Sequence, residues 1–343
     1  MTTRVLKLHA KGDIRVEDEA IAAPGKGEVV VAMERGGICG SDLHYFHSGR
    51  AGASIVREPI ILGHEVAGRI VEAGPGTDAP IGALVAVNPS RPCGECRFCR
   101  EGVRHQCLNM RFLGSAMFLP HEHGGFRDKM VVDAAQCVVM ENASAGAAAC
   151  AEPLAVCLHA AHVGPSLMGR RVLITGAGPI GALMTGVAKA AGAAEIVVTD
   201  LAEAPLDVAR KMGATEAVVA AKGALDRWAP EKGQFDVAFE CSGAGPAIAS
   251  ALTVLRPGGT LVQVGIAAEA TLPLGMLVAK EIQYCGSFRF DAEFGESARM
   301  IDTGRIDVTP ILTATMPLEG ALEAFGLAAD RQRAVKVQLA FAG

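Results

Sequence analysis

Residues 63–68 of the sequence, Gly-His-Glu-Val-Ala-Gly, place an imidazole and a carboxylate side by side between two apolar runs. Histidine is a common zinc ligand, and a catalytic zinc takes three protein groups and leaves its fourth position to water or substrate. We therefore interpret His64 and Glu65 as one corner of a catalytic metal site, for which Cys39 and Glu152 are the candidate remaining ligands. An isolated His-Glu pair would be better explained as a hydrogen-bonded structural contact, but the other motifs of the chain favour the metal.

A second metal site is indicated by four cysteines that lie within fifteen residues of one another: Cys93, Cys96, Cys99 and Cys107. The surrounding segment has no apolar periodicity, so a hydrophobic core cannot hold it in place. Four thiolates at this spacing can close a tetrahedron around a structural zinc. An iron–sulfur cluster is the rival interpretation, but the run lacks the short third gap and trailing proline of the bacterial ferredoxin pattern. Four unrelated free thiols are the remaining alternative.

Three residues that follow Cys39 could serve a reaction at the first site. Ser41 and His44 come two and five residues later, in what we predict to be a loop. A site dry enough for hydride transfer has little bulk water to accept a proton, so a hydroxyl and an imidazole could carry the proton away. Tyr45 would line the same pocket. The alternative for His44 and Tyr45 is a surface loop without a role.

A glycine-rich motif lies between a predicted strand at 171–175 and a predicted helix at 182–191. The motif consists of Gly176, Ala177, Gly178, Pro179, Ile180 and Gly181. Between a strand and a helix, this pattern predicts a dinucleotide site: the first glycine permits the tight turn, the second admits the pyrophosphate, and the third allows close helix packing. The N-terminus of the helix would then face the phosphates.

Asp200 ends the next predicted strand, nineteen residues after Gly181. A carboxylate at this place can accept hydrogen bonds from the adenosine ribose and repel a 2′-phosphate. The motif therefore favours NAD over NADP. A helix N-cap is the alternative role for Asp200.

The two parts of the chain have different periodicities. The first part reads as β-rich, with a hairpin over 4–17 and a strand over 28–33. The second part alternates strands and helices, with strands expected at 171–175, 195–200, 217–219, 236–239, 260–264 and 281–284. Such alternation predicts an α/β doubly wound parallel sheet. Val264, Gly265 and Ile266 then lie at the carboxyl end of the fifth strand, where such sheets bind ligands.

Composition excludes several classes of function. The 343 residues are half hydrophobic and one-fifth charged, which suits two globular domains. The net charge of −5, with scattered Lys and Arg, offers no basic stripe for nucleic acid. We find no continuous apolar segment typical of a signal peptide or membrane span, and clustered cysteines in such a chain favour metal over disulfides. We expect a cytoplasmic protein whose partners are small molecules, with no nucleic acid and no membrane.

In this order the motifs resemble those of the zinc-containing medium-chain alcohol dehydrogenases, over nearly the whole chain. The residues that carry the resemblance are 39–44 (Cys-Gly-Ser-Asp-Leu-His), 63–65 (Gly-His-Glu), the four clustered cysteines, 152–154 (Glu-Pro-Leu) and the glycine motif with Asp200. Within that family the chain is similar to the polyol dehydrogenases. Four segments, 37–46, 110–117, 123–126 and 286–290, are most similar to the L-idonate 5-dehydrogenases.

The resemblance implies an architecture. A GroES-like, β-rich catalytic domain would be formed by residues 1–152 and 286–343, with a structural zinc lobe at 91–108. A Rossmann dinucleotide-binding domain, residues 153–285, would be inserted between its two parts. The resemblance also implies a homo-oligomer, either a dimer or a tetramer.

The resemblance further implies roles for single residues. Cys39 and His64 match catalytic zinc ligands, whereas Glu65 and Glu152 each match a carboxylate that binds the zinc or lies close to it. The positions that match substrate or nicotinamide contacts are Tyr45, Phe288, Arg289 and Phe290. Two positions depart from the pattern: polyol dehydrogenases tend to have Tyr where Phe290 stands, and many carry Arg where Pro205 stands, so NADP remains open as a cofactor.

The resemblance also implies a reaction. Zinc would activate a secondary hydroxyl of a sugar acid, L-idonate at C5, and hydride would pass to NAD, giving the ketone 5-keto-gluconate. Arg111 or Arg289 could meet the carboxylate with paired donors. One catalytic and one structural zinc per chain are expected. The alternatives are a sorbitol or xylitol dehydrogenase and, in another class, a zinc-free quinone reductase or a non-catalytic nucleotide-binding protein.

Overall fold

The computed structural model describes residues 2–266 and 269–342. Two large sheets dominate these residues. In chain order the strands are β1 (Thr2–Ala10), β2 (Asp13–Ala20), β3 (Glu28–Gly37), β4 (Arg50–Ala51), β5 (Ser54–Ile55), β6 (Ile60–Ile61), β7 (Glu65–Ala73), β8 (Leu84–Val87), β9 (Ser90–Arg91), β10 (Arg111–Phe112), β11 (Lys129–Asp133), β12 (Cys137–Met140), β13 (Arg171–Thr175), β14 (Glu195–Asp200), β15 (Glu216–Val219), β16 (Phe235–Glu240), β17 (Leu255–Gln263), β18 (Gln283–Gly286), β19 (Leu312–Pro317) and β20 (Lys336–Ala340).

Helices follow the strands of the second half and are sparse in the first. In chain order they are α1 (Gly40–Ser48), α2 (Arg97–Arg100), α3 (Ala145–Ala149), α4 (Ala151–Val163), α5 (Pro179–Ala190), α6 (Glu203–Met212), α7 (Gly245–Val254), α8 (Leu274–Ala279), α9 (Glu293–Asp302) and α10 (Ala321–Ala329). Among the helices of the described residues, none combines the length and apolar character needed to span a bilayer.

The parallel sheet has the strand order β15-β14-β13-β16-β17-β18. Its inner strands β13, β14 and β16 are largely buried on both faces because helices cover both sides, as in other all-parallel sheets. The order reverses between β13 and β16, and in doubly wound sheets this switch point is where ligands bind. The doubly wound sheet that the alternating pattern predicted is confirmed.

The other large sheet joins the two ends of the chain. Its order is β12-β8-β7-β3-β20-β19, and β11 pairs with the other part of β3. Strand β20 runs antiparallel to β3, with Gln338 opposite Gly37. The parallel sheet is therefore inserted in a β-rich unit, as expected, and the predicted hairpin over 4–17 is present as β1 and β2.

The predicted loop after Cys39 was wrong, because these residues form helix α1. The side chain of Asp42 accepts a hydrogen bond from the backbone N–H of Cys39 (3.0 Å) and so caps the helix. Gly49, at φ 67°, ends it with its N–H donated to Tyr45. The aspartate three residues after Cys39 and the glycine at 49 are the signals of this helix in the sequence.

Helix α4 begins at Ala151, so Pro153 lies within its first turn. The first backbone N–H groups of a helix have no partner within it, so a proline that lacks this group fits anywhere in the first turn. As a result Glu152 lies in the first turn of α4 and is buried.

Candidate active site and metal centres

Cys39, His64 and Glu65 converge at the junction of β3, α1 and β7. Their ligand atoms all lie within 4.8 Å of one another. Strands β3 and β7 pair with Gly37 opposite Glu65, and a Cβ at Gly37 would lie 2.1 Å from a carboxylate oxygen of Glu65. A glycine is therefore required for this carboxylate to reach the site. Sulfur, nitrogen and oxygen donors of this kind suit zinc.

Asp42 ties together the two chain segments that carry Cys39 and His64. Its buried carboxylate accepts hydrogen bonds from the backbone N–H of Cys39 (3.0 Å) and of Gly63 (3.2 Å), and it lies 3.9 Å from Nδ1 of His64. Burial raises the pKa of Asp42. Burial alone would lower the pKa of His64, but the nearby Asp42 and Cys39 outweigh it and raise that pKa well above its ordinary value. Asp42 belongs to the motif at 39–44, but the sequence did not predict this role for it.

Lys336 is a member of the site that sequence reasoning missed. Its Nζ lies 2.8 and 2.7 Å from the two carboxylate oxygens of Glu65 and donates a third hydrogen bond, 3.1 Å long, to the carbonyl of Ile38. Both charged side chains are 2% exposed. Burial alone would lower the pKa of Lys336, but the charge of Glu65 reverses this and raises it. The available signal was a lysine at the start of a short strand, β20, whose next four residues are mostly apolar, because a buried charge needs a partner.

Glu152 lies beside this group rather than within it. Among the described residues, Glu65 belongs to the group whose ligand atoms all lie within 4.8 Å of one another, and Glu152 does not. Burial raises the pKa of Glu152 to about 7; the charge of His64 opposes this shift and that of Glu65 adds to it. Of the two carboxylates that the sequence left open as ligands, Glu65 is the one closer to both Cys39 and His64.

The guanidinium of Arg289 reaches the same region. It lies over the ring of Phe112 at 4.5 Å and over that of Phe288 at 4.8 Å, and the Phe112 ring lies 5.6 Å from that of His64. Burial lowers the pKa of Arg289, and nearby Glu152 and Tyr45 act in the opposite direction.

The other predicted substrate and proton-path residues are distributed differently. Tyr45 is buried, and its hydroxyl accepts the backbone N–H of Ala116 at 3.1 Å. Ser41 is half-buried at the start of α1, whereas His44 is exposed. Phe290 is 1% exposed and packs on Phe294, with ring centroids 5.7 Å apart. Its ring therefore belongs to the core and offers little surface to a substrate.

Arg111 makes its contacts away from the three-ligand group. It donates a hydrogen bond to the carbonyl of Pro120 (3.0 Å) and lies 3.8 Å from a carboxylate oxygen of Glu122. Its guanidinium stands over the ring of Phe118 at 5.6 Å. Of the two cations suggested by the sequence, Arg289 is the one beside Glu152 and Tyr45.

The glycine-rich motif forms the turn between β13 and α5. Gly176 has φ +90°, and a Cβ there would lie 3.0 Å from Ser242. A Cβ at Gly181 would lie 1.7 Å from the carbonyl oxygen of Gly176, whereas one at Gly178 would meet nothing within 4 Å. A pyrophosphate requires open space of this kind above the middle glycine. The space lies at the N-terminus of a twelve-residue helix, which favours an anion.

The carboxylate of Asp200 also faces this turn. It accepts hydrogen bonds from the backbone N–H of Ala177 (2.7 Å) and of Ala202 (3.1 Å). Val264 and Gly265 follow β17, Ile266 is 87% exposed, and Phe288 follows β18. Pro205 is buried in the first turn of α6.

Glu240 is a second buried carboxylate that sequence reasoning missed. It ends β16 and accepts hydrogen bonds from the backbone N–H of Ser242 (2.8 Å) and Gly243 (2.9 Å) and from Nε2 of Gln263 (2.5 Å). Its backbone carbonyl accepts the N–H of Gly265 at 2.7 Å. Glu240 thus joins the loops that follow β16 and β17. The signal was an acidic residue at the end of an apolar strand.

The four clustered cysteines form a compact group of thiols. Sulfur–sulfur distances are 3.5 Å for Cys93 and Cys107, 3.6 Å for Cys96 and Cys99, and 3.9 Å for Cys96 and Cys107. A tetrahedral zinc with bonds of about 2.3 Å needs edges of about 3.8 Å. Backbone N–H groups of Leu108 and Cys99 lower the pKa of Cys96 to about 6, which favours its thiolate. All ten cysteines of the chain are free.

Two protein families match the chain. Residues 25–142 match the alcohol dehydrogenase GroES-like domain. Residues 179–303 match the zinc-binding dehydrogenase family.

Individual relatives cover nearly the whole sequence. The chain is 42% identical over 333 residues to L-idonate 5-dehydrogenase (NAD(P)(+)) of Escherichia coli K12, covering 96% of each protein. It is 36% identical over 328 residues to human sorbitol dehydrogenase, covering 93% of this chain and 91% of that one.

Solved structures show the same likeness. The crystal structure of L-idonate 5-dehydrogenase from Escherichia coli K-12 superimposes with a TM-score of 0.95 at 41% identity, covering 99% of both chains. A zinc-binding dehydrogenase homologue from Sinorhizobium meliloti 1021, bound to NADP, gives a TM-score of 0.90 at 28% identity, again over 99% of both chains.

Proposed function

Because this chain belongs to the zinc-containing alcohol dehydrogenase family, we propose that it interconverts a secondary alcohol of a sugar acid, L-idonate at C5, with its ketone, 5-keto-gluconate, using NAD(P). The similarity to L-idonate 5-dehydrogenase over 96% of each protein supports this substrate class. The structural observation on which this proposal rests is the position of Arg289. Its half-buried guanidinium lies beside the proposed metal ligands. A guanidinium offers two parallel donors that match a carboxylate.

Cys39, His64 and Glu65 would hold the catalytic zinc, with Glu152 beside them. When bound, this zinc supplies Lewis-acid chemistry that lowers the pKa of the substrate hydroxyl. Lys336 holds the carboxylate of Glu65 by both oxygens, so this ligand is oriented before the metal arrives. The four clustered cysteines would hold a structural zinc, giving about two zinc ions per chain.

Ser41 and His44 would conduct the proton of the substrate hydroxyl to solvent. Ser41 is half-buried two residues after Cys39, and His44 is exposed about one helical turn further along α1. A hydroxyl can accept a proton and donate its own, and an exposed imidazole can pass it on to water.

NAD would bind across the carboxyl ends of β13 and β17. The glycine motif from Gly176 to Gly181 would receive the pyrophosphate, and Asp200 would accept hydrogen bonds from the adenosine ribose. The nicotinamide end would lie against Val264, Gly265, Ile266 and Phe288. Residues 201–205 contain no cation to meet a 2′-phosphate, which favours NAD, although the name of the Escherichia coli relative covers both cofactors.

The domain limits that we propose are 1–152 with 286–343 for the catalytic domain and 153–285 for the dinucleotide-binding domain. The matches to the two families, over 25–142 and 179–303, support this division. A reducing compartment such as the cytoplasm suits a chain with ten free cysteines. A homo-oligomer is supported by β18, which ends the parallel sheet and leaves an edge open to a second copy.

A sorbitol- or xylitol-type polyol dehydrogenase is the second candidate. It is supported by the 36% identity to human sorbitol dehydrogenase. Such an enzyme would prefer uncharged polyols, so the two candidates differ in whether a carboxylate on the substrate matters.

Substrate panels with the wild-type protein and Arg289→Gln separate these candidates. We expect L-idonate to be oxidised with a higher kcat/KM than sorbitol or xylitol, and NAD to be used better than NADP. Arg289→Gln should lower kcat/KM for L-idonate about 10- to 100-fold, because a hydrogen-bonded ion pair is lost. The effect on sorbitol should be much smaller. Equal losses on both substrates, or a preference of the wild type for sorbitol, would favour the polyol candidate.

A further inference from the structure

The segment 287–292 carries Arg289 in a conformation that its own sequence does not favour. Arg289 has φ 55°, in the left-handed region that non-glycine residues rarely adopt. Such a conformation persists only where the surrounding structure holds it, and it is found often at ligand-binding sites. The contacts of this segment therefore decide whether the guanidinium stays beside the proposed metal ligands.

One set of these contacts comes from the cysteine-rich lobe, residues 91–108. Arg104 donates from its backbone N–H (3.3 Å) and its Nε (3.1 Å) to one carboxylate oxygen of Asp291, and its Nη2 lies 2.9 Å from the other. Asp291 is two residues after Arg289. Arg104 itself lies in a short 3₁₀ turn, Arg104–Gln106, directly before the cysteine at 107. Three donors from one residue fix the position of the carboxylate.

The same segment is held from its other side by helix α4. The backbone N–H of Asp291 donates to one carboxylate oxygen of Glu293 (2.8 Å), and the other oxygen lies 3.0 Å from Nδ1 of His159 and 3.2 Å from Nδ1 of His162. Burial alone would raise the pKa of Glu293, but these hydrogen bonds lower it well below its usual range. Since α4 begins with the turn that contains Glu152, the segment is connected to the metal site as well as to the lobe.

The strand that follows the lobe contributes to the surroundings of the guanidinium. Phe112, in this short strand β10, lies under the guanidinium of Arg289. Within the lobe, the ring of His105 packs on that of His159 at 4.6 Å. The lobe thus contacts the segment of Arg289 through Asp291, and helix α4 through His159.

We propose that Arg104 and Asp291 are positioning residues for the substrate: through their ion pair, the cysteine-rich lobe holds Arg289 where it meets the carboxylate of the sugar acid. This inference rests on the substrate class proposed above. It gives the lobe a part in substrate recognition in addition to any part in stability. An exposed ion pair without such a role would contribute little, and its loss would leave the preference between acid and polyol unchanged.

The test compares Arg104→Gln with Arg299→Gln in the zinc-loaded enzyme. Arg299 is an exposed arginine on α9, the helix that follows the segment, so its replacement makes the same change in charge nearby. We expect Arg104→Gln to raise KM for L-idonate about 3- to 5-fold, with little change in kcat, in KM for sorbitol or in the Kd for NADH. Hydrogen exchange of residues 287–292 should become faster. Arg299→Gln should leave all of these values near wild type.

Asp291→Asn provides an independent second variant in case Arg104→Gln folds poorly. It should reproduce the change in KM, and the double variant should be no worse than either single one, because both remove one interaction. The inference is overturned if Arg104→Gln and Asp291→Asn keep wild-type exchange in 287–292 and a wild-type KM for L-idonate. If the wild-type enzyme oxidises no sugar acid, the proposed function fails instead, and the exchange measurement still decides whether the ion pair holds the segment.

Discussion

At the scale of single residues, the ion pair of Lys336 and Glu65 sets the electrostatics of the proposed catalytic centre. Two buried charges lie in direct contact, and Glu65 is also close to Cys39 and His64. Lys336 contacts both carboxylate oxygens, so the buried carboxylate has a charged partner and a fixed orientation when no metal is present. A metal that arrives must share this carboxylate with Lys336.

Replacing Lys336 by Met should therefore destabilise the metal-free protein most. We expect a loss of about 3 to 5 kcal/mol, because removal of one partner leaves the other charge buried alone. Zinc provides a positive charge to the same carboxylate, so the loss in the zinc-loaded protein should be smaller. Denaturant unfolding of both forms measures the difference.

Two further variants serve as controls for that experiment. Lys222→Met removes an exposed lysine and should change neither form. The double variant Lys336→Met with Glu65→Gln should recover part of the lost stability, because no uncompensated charge remains. A metal-free Lys336→Met protein as stable as wild type would contradict this account of the pair.

At the scale of elements, the cysteine-rich lobe has less secondary structure to hold its shape than the two large sheets have. It contains one helix of four residues, α2, with no buried side chain, and a 3₁₀ turn of three residues. So small a segment buries too little apolar surface to hold its shape without a metal or disulfide. The four sulfur atoms nevertheless lie close together, and bound zinc would supply the missing stability.

Cys99→Ser should remove the structural zinc and leave the catalytic one. We expect the zinc content to fall from about two to about one ion per chain. Elemental analysis of the purified protein gives this number directly. Cys137→Ser is the matched control, since this half-buried cysteine lies outside both donor groups, and it should keep the wild-type zinc content. A Cys99→Ser protein that retains both ions would show that the lobe is not a zinc site.

At the scale of the whole molecule, local signals were sufficient for the fold and for part of the site. The apolar periodicity of the sequence predicted the six parallel strands, and the spacing of the four cysteines predicted that they lie close together. Helix α1 was missed because its start depends on one capping aspartate. Lys336 was missed for a different reason: its partner Glu65 is 271 residues away in sequence, and no local pattern reports a contact of that range. The ion pair of Arg104 and Asp291 spans 187 residues and was missed for the same reason.

The open edge of the parallel sheet leads to a prediction about assembly. In helix α8, which precedes β18 in the chain, two apolar residues are strongly exposed, Leu274 at 65% and Val278 at 78%. Exposed apolar groups and a sheet edge that is open among the described residues favour contact with a second copy. Val278→Glu should therefore shift the protein toward monomers in light scattering coupled to size exclusion. Leu322→Glu, at an exposed leucine of α10, is the control. An unchanged mass for Val278→Glu would argue against this edge as the interface.

The return of β20 to the first sheet also has a consequence for biosynthesis. A ribosome delivers Cys39, His64 and Glu65 early, but the lysine at 336 emerges only after the inserted parallel sheet has been translated. Until then the carboxylate of Glu65 lacks the lysine that pairs with it in the folded protein. Translation therefore delays maturation of the proposed catalytic centre until the parallel sheet has been made.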